Sequence, residues 1–209
     1  MEEESHLGGV TYDGENIWVC HSGTREIERI DYAFIEKLID CTTQNFIDIS
    51  RCFSRYEIRN VPSCMYYANG KFYVATHKVL TTSIVKEYEY KAKENTLTYC
   101  ETYRIPAKTQ GIAIDHKNQV YVSTSYGRRR SSNMMVYQSL KQMDKAVKKP
   151  LMTIELPSGS EEVYLDENMI YLLFETACSK YYEGSDGNGN CPYPIDKILM
   201  ITKDSIFYD

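Results

Sequence analysis

Long apolar runs are missing from this chain of 209 residues. No stretch approaches the ~20 consecutive apolar residues that a membrane-spanning helix requires, so none is predicted. The N-terminal residues Met1–Ser5 are acidic and have no apolar core, which is not typical of a signal peptide. We therefore expect residues 1–6 to be a leader or tag and residues 7–209 to form a single domain. A fragment of a longer surface or secreted protein would lie outside the cell, and otherwise the chain would be cytoplasmic.

Familiar catalytic and nucleotide-binding motifs are also missing. The sequence has no P-loop, no dinucleotide-binding glycine pattern, no nucleophile elbow and no HExxH helix. A net charge of −5 and a pI near 5.5 argue against nucleic acid as a partner. The only basic run, Arg128–Arg130, is short and is typical of a solvated loop. These absences favour a binding module over an enzyme.

Cysteine pairs with metal-binding spacing are missing as well. The seven cysteines are an odd number and include no CxxC pair, which makes a zinc site a poor interpretation. Most are expected to be buried thiols. Cys178 and Cys191 differ because they flank a polar loop, and they are a candidate disulfide in an oxidising compartment.

Tyrosine is abundant where other aromatic residues are scarce, with 19 Tyr against one Trp and six Phe. A tyrosine ring packs on a half-buried sheet while its hydroxyl reaches water or a polar partner. This composition favours an all-β protein.

Four repeats organise the sequence. Their starting residues are separated by 55, 47 and 51 residues, and they are Gly9, Cys64, Gly111 and Glu162. Each repeat has two short β-rich runs joined by Gly, Asn or Asp, which predicts a hairpin. The second run of each hairpin carries an aromatic residue at the same place, namely Trp18, Tyr73, Tyr121 and Tyr171. The period is close to that of known propeller blades, and radial packing would bury the faces of such small sheets.

The predicted fold is therefore a small all-β propeller of four or five blades. Residues 32–39 have helical spacing of apolar residues and predict one short helix inserted after the third strand. Residues 40–60 form either the outer strand of the first blade or a degenerate fifth blade. Asp204–Tyr208 is expected to join the first sheet as a strand and close the ring.

Three segments carry a resemblance to known proteins: Lys108–Ala113, Tyr121–Arg128 and Leu172–Ala177. They resemble an uncharacterised bacterial family of propeller-like proteins, and the chain is more loosely similar to NHL and YncE-type propellers. The resemblance covers roughly residues 7–202. It implies the propeller fold, and it implies no activity.

Ligand-binding candidates occupy repeat positions at strand ends, where propeller loops meet the central channel. Polar residues break the core pattern there, and the candidates are His77, Gln110, Ser125, Glu161, Glu162 and Glu175. Arg128 is a further candidate, because its paired donors suit a carboxylate or phosphate. The alternative is that these side chains cap strands, with Arg128 pairing with Glu161 or Glu162 of the next blade.

A calcium site is a second candidate. Asp186, Asn188 and Asn190 alternate in the manner of the first ligands of a calcium loop. Lys197 occupies the twelfth position, where that loop has glutamate, and Asp196 stands one place earlier as a candidate substitute. Cys191 occupies the position that requires glycine, so a flexible Gly/Asn turn is the competing interpretation.

The favoured function is a monomeric, non-catalytic module that binds a small molecule, glycan or protein of unknown identity. The alternative is a hydrolase or lyase acting at the channel mouth. That alternative predicts that His77, Glu162 and Glu175 lie in one cluster.

Overall fold

A computed structural model describes residues 7–41 and 53–207. Its strands form four antiparallel sheets, which are arranged as a four-bladed β-propeller with a few short helices. The predicted all-β propeller is thereby confirmed. Residues 1–6, predicted as a leader, lie outside the described part of the chain.

The first sheet contains β1 to β4 in sequence order. Its strands are β1 (Leu7–Tyr12), β2 (Asn16–His21), β3 (Glu26–Asp31) and β4 (Phe53–Glu57). Helix α1 (Tyr32–Cys41) follows β3, as the helical spacing predicts. Part of the stretch 40–60 therefore forms the outer strand of the first sheet, while residues 42–52 lie outside the described residues.

The other three sheets repeat this order. The second sheet has β5 (Cys64–Ala68), β6 (Lys71–Thr76), β7 (Ser83–Lys91) and β8 (Thr96–Ile105). The third has β9 (Thr109–Ile114), β10 (Val120–Thr124), β11 (Ser132–Tyr137) and β12 (Met152–Leu156), with α2 (Leu140–Lys145) before β12. The fourth has β13 (Ser160–Leu165), β14 (Met169–Phe174) and β15 (Leu199–Thr202), with α3 (Ser179–Tyr182) and α4 (Lys203–Phe207).

Strand register confirms the repeat. The aromatic residue that recurs in each hairpin is paired in register with the third residue of the repeat on the inner strand. The pairs are Thr11–Trp18, Tyr66–Tyr73, Ala113–Tyr121 and Tyr164–Tyr171. Asn69 and Asn118 adopt positive φ in the turns, a conformation that asparagine tolerates better than most residues. Local turn chemistry and side-chain alternation therefore specify the hairpins.

The described residues belong to two compact units, residues 1–75 with 86–101 and residues 76–85 with 102–209. In the first unit, Trp18 is fully buried and its ring lies 4.5 Å from that of Phe72. Thr11 Oγ1 accepts a hydrogen bond from the backbone N–H of Tyr67, which joins β1 to β5. A Cβ on Gly9 would lie only 2.8 Å from the Met65 nitrogen, so the two inner strands approach closely because this residue is glycine.

The second unit repeats that contact between its own sheets. A Cβ on Gly111 of β9 would lie 2.7 Å from the Glu161 carbonyl oxygen of β13. Ser123 and Ser160 share a buried hydrogen bond of 2.6 Å between their hydroxyls. In each unit, one inner strand thus packs against the inner strand of the following sheet.

The C-terminal segment differs from the prediction. Lys203–Phe207 forms helix α4, whereas a strand that joins the first sheet was expected from Asp204 onward. That expectation was wrong for Asp204–Phe207, and Tyr208 lies outside the described residues. No helix in the described segments, 7–41 and 53–207, has the length and apolar character needed to cross a membrane.

Candidate functional site

Two glutamates meet at the end of the fourth sheet. Glu161 lies in β13, and Glu175 directly follows β14. The pairing of Ser160 with Phe174 and a shift of register before Val163 bring their side chains together, so that the two carboxyl groups interact. Burial, followed by the neighbouring carboxyl of Glu175, raises the pKa of Glu161 to about 8.

Two further side chains complete this cluster. Gln110 Nε2 of β9 donates a hydrogen bond of 3.1 Å to Glu161 Oε1. The Tyr181 side chain of α3 lies near the Glu175 carboxyl, and burial followed by that neighbouring carboxyl raises the pKa of Tyr181 above its usual range. We call Gln110, Glu161, Glu175 and Tyr181 the carboxyl cluster. Residue patterns predicted three of its members and missed Tyr181, which belongs to a loop outside the repeat.

Arg128 is fixed beside this cluster by a different acid from the one predicted. Its Nη1 and Nη2 atoms donate to the two carboxylate oxygens of Asp186, at 2.9 and 2.7 Å. Its guanidinium also lies 4.5 Å from the centre of the Tyr181 ring and donates to two backbone carbonyls of the same loop. The predicted pairing with Glu161 or Glu162 is therefore wrong.

The predicted calcium ligands have other partners. Both oxygens of Asp186 bind Arg128, and they also accept bonds from the backbone and side chain of Asn188. Arg128 and Asn188 hold the pKa of Asp186 well below its usual range. Asn190 accepts a bond from Arg129 through its carbonyl oxygen, and Asp196 is exposed. Within residues 7–41 and 53–207, no three His, Cys, Asp or Glu side chains are grouped as a metal would require.

Cys178 and Cys191 are both free thiols in the structure. Cys178 is exposed, while Cys191 is buried with its Sγ 3.4 Å from the Ser158 hydroxyl. The Cys191 N–H donates to the Tyr181 carbonyl oxygen at 2.7 Å. Backbone bonding and the Arg128–Asp186 pair hold the loop, and the predicted disulfide is not formed.

His77 and Ser125 contact the strand ends through backbone groups. His77 Nδ1 lies 3.0 Å from the Thr109 carbonyl oxygen. The buried Ser125 donates its N–H to the Lys108 carbonyl oxygen, also at 3.0 Å. These contacts support the interpretation that the two residues cap the loop before Gln110.

Glu162 follows Glu161 in β13 and has different side-chain neighbours from those of the carboxyl cluster. Its Oε1 accepts from its neighbour's N–H, that of Val163, at 3.0 Å. It lines an open groove with Tyr164 and Leu173, and burial raises its pKa well above the usual value. The expected cluster of His77, Glu162 and Glu175 is therefore not the grouping that the structure presents.

Comparisons with known proteins give information about the fold of this chain and none about its activity. No family model and no curated protein matches the chain. A glutaminyl cyclase from Myxococcus xanthus aligns with a TM-score of 0.53 and 7% identity, over 83% of this chain and 69% of that one. A chain of a nidogen/laminin complex gives 0.47 and 12% over 83% and 58%, and BamB from Moraxella catarrhalis gives 0.41 and 9% over 83% and 45%. These neighbours are propeller-type proteins.

Proposed function

We propose that this chain is a ligand-binding propeller module and that its ligand contacts the carboxyl cluster. The observation that carries the proposal is the convergence of Gln110, Glu161, Glu175 and Tyr181 from β9, β13, the end of β14 and α3. Two of these elements are strands of packed sheets, which hold the side chains in place. A rigid scaffold that presents polar groups at strand ends is a common way to build a binding site.

The chemistry of the cluster favours a ligand with an ammonium or guanidinium group. Burial beside Glu175 favours the protonated form of Glu161, because two close carboxylates repel each other. A cationic group placed between the two carboxyls would take the place of that proton and offset the repulsion. Such groups occur on small amines and on peptide termini or basic side chains.

Thermal unfolding with small amines tests this proposal. We expect putrescine and a glycine dipeptide to raise the melting temperature of the wild-type protein, with larger shifts at higher pH because the competing proton is then scarcer. Sodium chloride at matched ionic strength is the control for screening.

Variants assign the effect to the cluster. Glu161→Gln and Glu175→Gln should lose the amine-dependent shift, whereas Glu155→Gln, a change at an exposed position of β12, should keep it. An equal shift in all three variants, or no shift in the wild type, would contradict the proposal.

A hydrolase or lyase is the second candidate, and the raised pKa of Glu161 favours it. A carboxyl group that stays protonated near neutral pH can act as a general acid. A glutaminyl cyclase has a similar fold, and this likeness supports the second candidate only at the level of the fold. Turnover by the wild type that Glu161→Gln abolishes while amine binding survives would favour the enzyme.

We also infer a relationship to an uncharacterised bacterial family of propeller-like proteins and, more loosely, to the NHL and YncE-type propellers. The motifs at Lys108–Ala113 and Leu172–Ala177 support it. The first lies on β9 and the second runs from β14 into the cluster. Residues 7–209 would then be one domain, with a location at the cell surface if the native chain is longer and in the cytoplasm otherwise.

A further inference from the structure

The Tyr181 ring of the carboxyl cluster already has cations beside it. The Arg128 guanidinium lies 4.5 Å from the centre of that ring, and the Lys180 ammonium nitrogen lies 5.2 Å from it. Cations at such distances are attracted to the electron-rich face of an aromatic ring. A further cation brought to the same ring is repelled by them, because like charges a few ångströms apart disfavour each other. The ring is therefore a poor contact for a cationic ligand.

Arg128 is held in this position by the loop that contains Tyr181. Its side chain is only 10% exposed and donates to both carboxylate oxygens of Asp186. Its Nη1 also donates to the backbone carbonyl oxygens of Lys180 and Gly189. The paired donors of arginine match a carboxylate, so moving the guanidinium away from the ring would break several charge-assisted bonds at once. Arg128 is thus a fixed neighbour of the Tyr181 ring.

The other members of the carboxyl cluster present oxygen atoms that accept hydrogen bonds. The carboxyl groups of Glu161 and Glu175 interact with each other, and the Gln110 amide donates to Glu161 Oε1 and orients it. A primary ammonium has N–H donors for such oxygens, whereas a quaternary ammonium has none. Proteins bind quaternary ammonium groups through the faces of aromatic rings instead. The cluster therefore has the groups that suit the first kind of cation.

We propose that this site selects cations with N–H donors, such as primary ammonium groups, over quaternary ammonium groups, and that Arg128 determines the selectivity. The inference rests on the proposed function, because it concerns the ligand of the carboxyl cluster. Arg128 occupies the ring that would attract a methylated cation and leaves the carboxyl oxygens to a cation that donates hydrogen bonds. Peptide amino termini, lysine side chains and small amines belong to the preferred class, and trimethylammonium groups do not.

Isothermal titration calorimetry with two ligands of equal charge tests the selectivity. Putrescine and its hexamethyl derivative have the same carbon chain and the same charge, so a general electrostatic attraction acts on both. We expect the wild type to bind putrescine more tightly by about tenfold or more, the effect of losing hydrogen bonds to charged groups. Equal affinities, or tighter binding of the hexamethyl derivative, would overturn the inference and leave the proposed function standing. If the wild type binds neither ligand, both fail.

Arg128→Ala tests the role of the arginine. The Tyr181 ring then becomes available to a methylated cation, so the preference for putrescine should shrink by about threefold, the size of one cation–π contact. Loosening of the loop weakens both ligands alike and leaves their ratio unchanged. Arg130→Ala is the matched control, because it removes the same charge from an exposed position of the same run and should keep the wild-type ratio. A ratio that Arg128→Ala leaves unchanged, or that both variants change equally, would overturn the assignment to Arg128.

Discussion

Glu161 and Glu162 are adjacent in sequence and have different surroundings. Glu161 faces Gln110 and Glu175, whereas Glu162 lines the groove on the fourth sheet. Burial raises the pKa of both, and a neighbouring carboxyl adds to the effect in each, that of Glu175 for Glu161 and that of Glu161 for Glu162. At the level of the single residue, the protonation state of each glutamate therefore depends on the neighbours that its position in β13 gives it.

Stability should depend on pH through Glu161. Its pKa is about 8 in the folded protein against an ordinary value of 4.5 for glutamate, so between these values the folded state holds a proton that the unfolded state has released. The free energy of unfolding therefore falls as pH rises through this window, by at most about 1.4 kcal/mol per pH unit for one group.

Melting temperatures of the wild type and Glu161→Gln measure this dependence when they are recorded from pH 4 to pH 9. This range of about five pH units spans both pKa values of Glu161. The variant should lose part of the decline, whereas Glu155→Gln should retain it. An unchanged slope in Glu161→Gln would show that this carboxyl does not take up a proton on folding.

At the level of elements, the segment between β14 and β15 departs from the repeat. Residues 175–198 replace a tight turn with a loop that contains α3 and delivers Tyr181 to the carboxyl cluster. Arg128 reaches this loop from the third sheet and binds the carboxylate of Asp186 and the carbonyl oxygens of Lys180 and Gly189. One arginine thus holds an irregular segment against a regular sheet.

Arg128→Ala should loosen this loop and leave the sheets intact. We expect amide exchange in residues 183–190 to accelerate by roughly tenfold or more, because local opening no longer breaks the paired bonds to Asp186. Exchange in β9 and β10 should not change. Hydrogen exchange measured by mass spectrometry separates the two regions.

Arg130→Ala is the matched control, since Arg130 lies two residues away in the same basic run and is exposed. It should leave exchange in the loop unaltered. If amide exchange accelerates equally in both variants, the loss of a positive charge explains the effect, and the bonds that Arg128 makes to the loop do not.

At the level of the whole molecule, the recurring aromatic residue of the four hairpins is buried to a different extent from one sheet to another. Trp18 and Tyr121 are fully buried, Tyr73 is nearly so, and Tyr171 is half-buried. All four belong to the second strand of a hairpin, so strand geometry is held constant while packing between sheets varies.

Alanine substitutions at this position should measure that packing. Tyr121→Ala should lower the free energy of unfolding by about 3–5 kcal/mol, as for other large buried aromatic residues. Tyr171→Ala should cost no more than about 1 kcal/mol, because the Tyr171 side chain is only half-buried. Urea unfolding monitored by circular dichroism provides both values, and equal losses would show that the Tyr171 ring is packed as tightly as that of Tyr121.

The hairpins and their repetition could be predicted from the chain because they depend on local rules. Alternating apolar residues, turn-forming Asn and Gly, and an aromatic at a constant position are visible within each stretch of about ten residues. The same regularity indicated that Gln110, Glu161 and Glu175 would lie at related strand ends. Helix α1 was predicted for the same reason, since its spacing is local.

The partners of the irregular segments were decided by the tertiary structure. Tyr181 and Asp186 lie more than 50 residues from Gln110 and Arg128 in the chain, and no periodic pattern relates them. Their contacts depend on where the loop after β14 lies against the third sheet, which also left Cys178 and Cys191 as separate thiols. Short-range periodicity thus determined the strands of this protein, while long-range packing selected which charged and polar side chains meet.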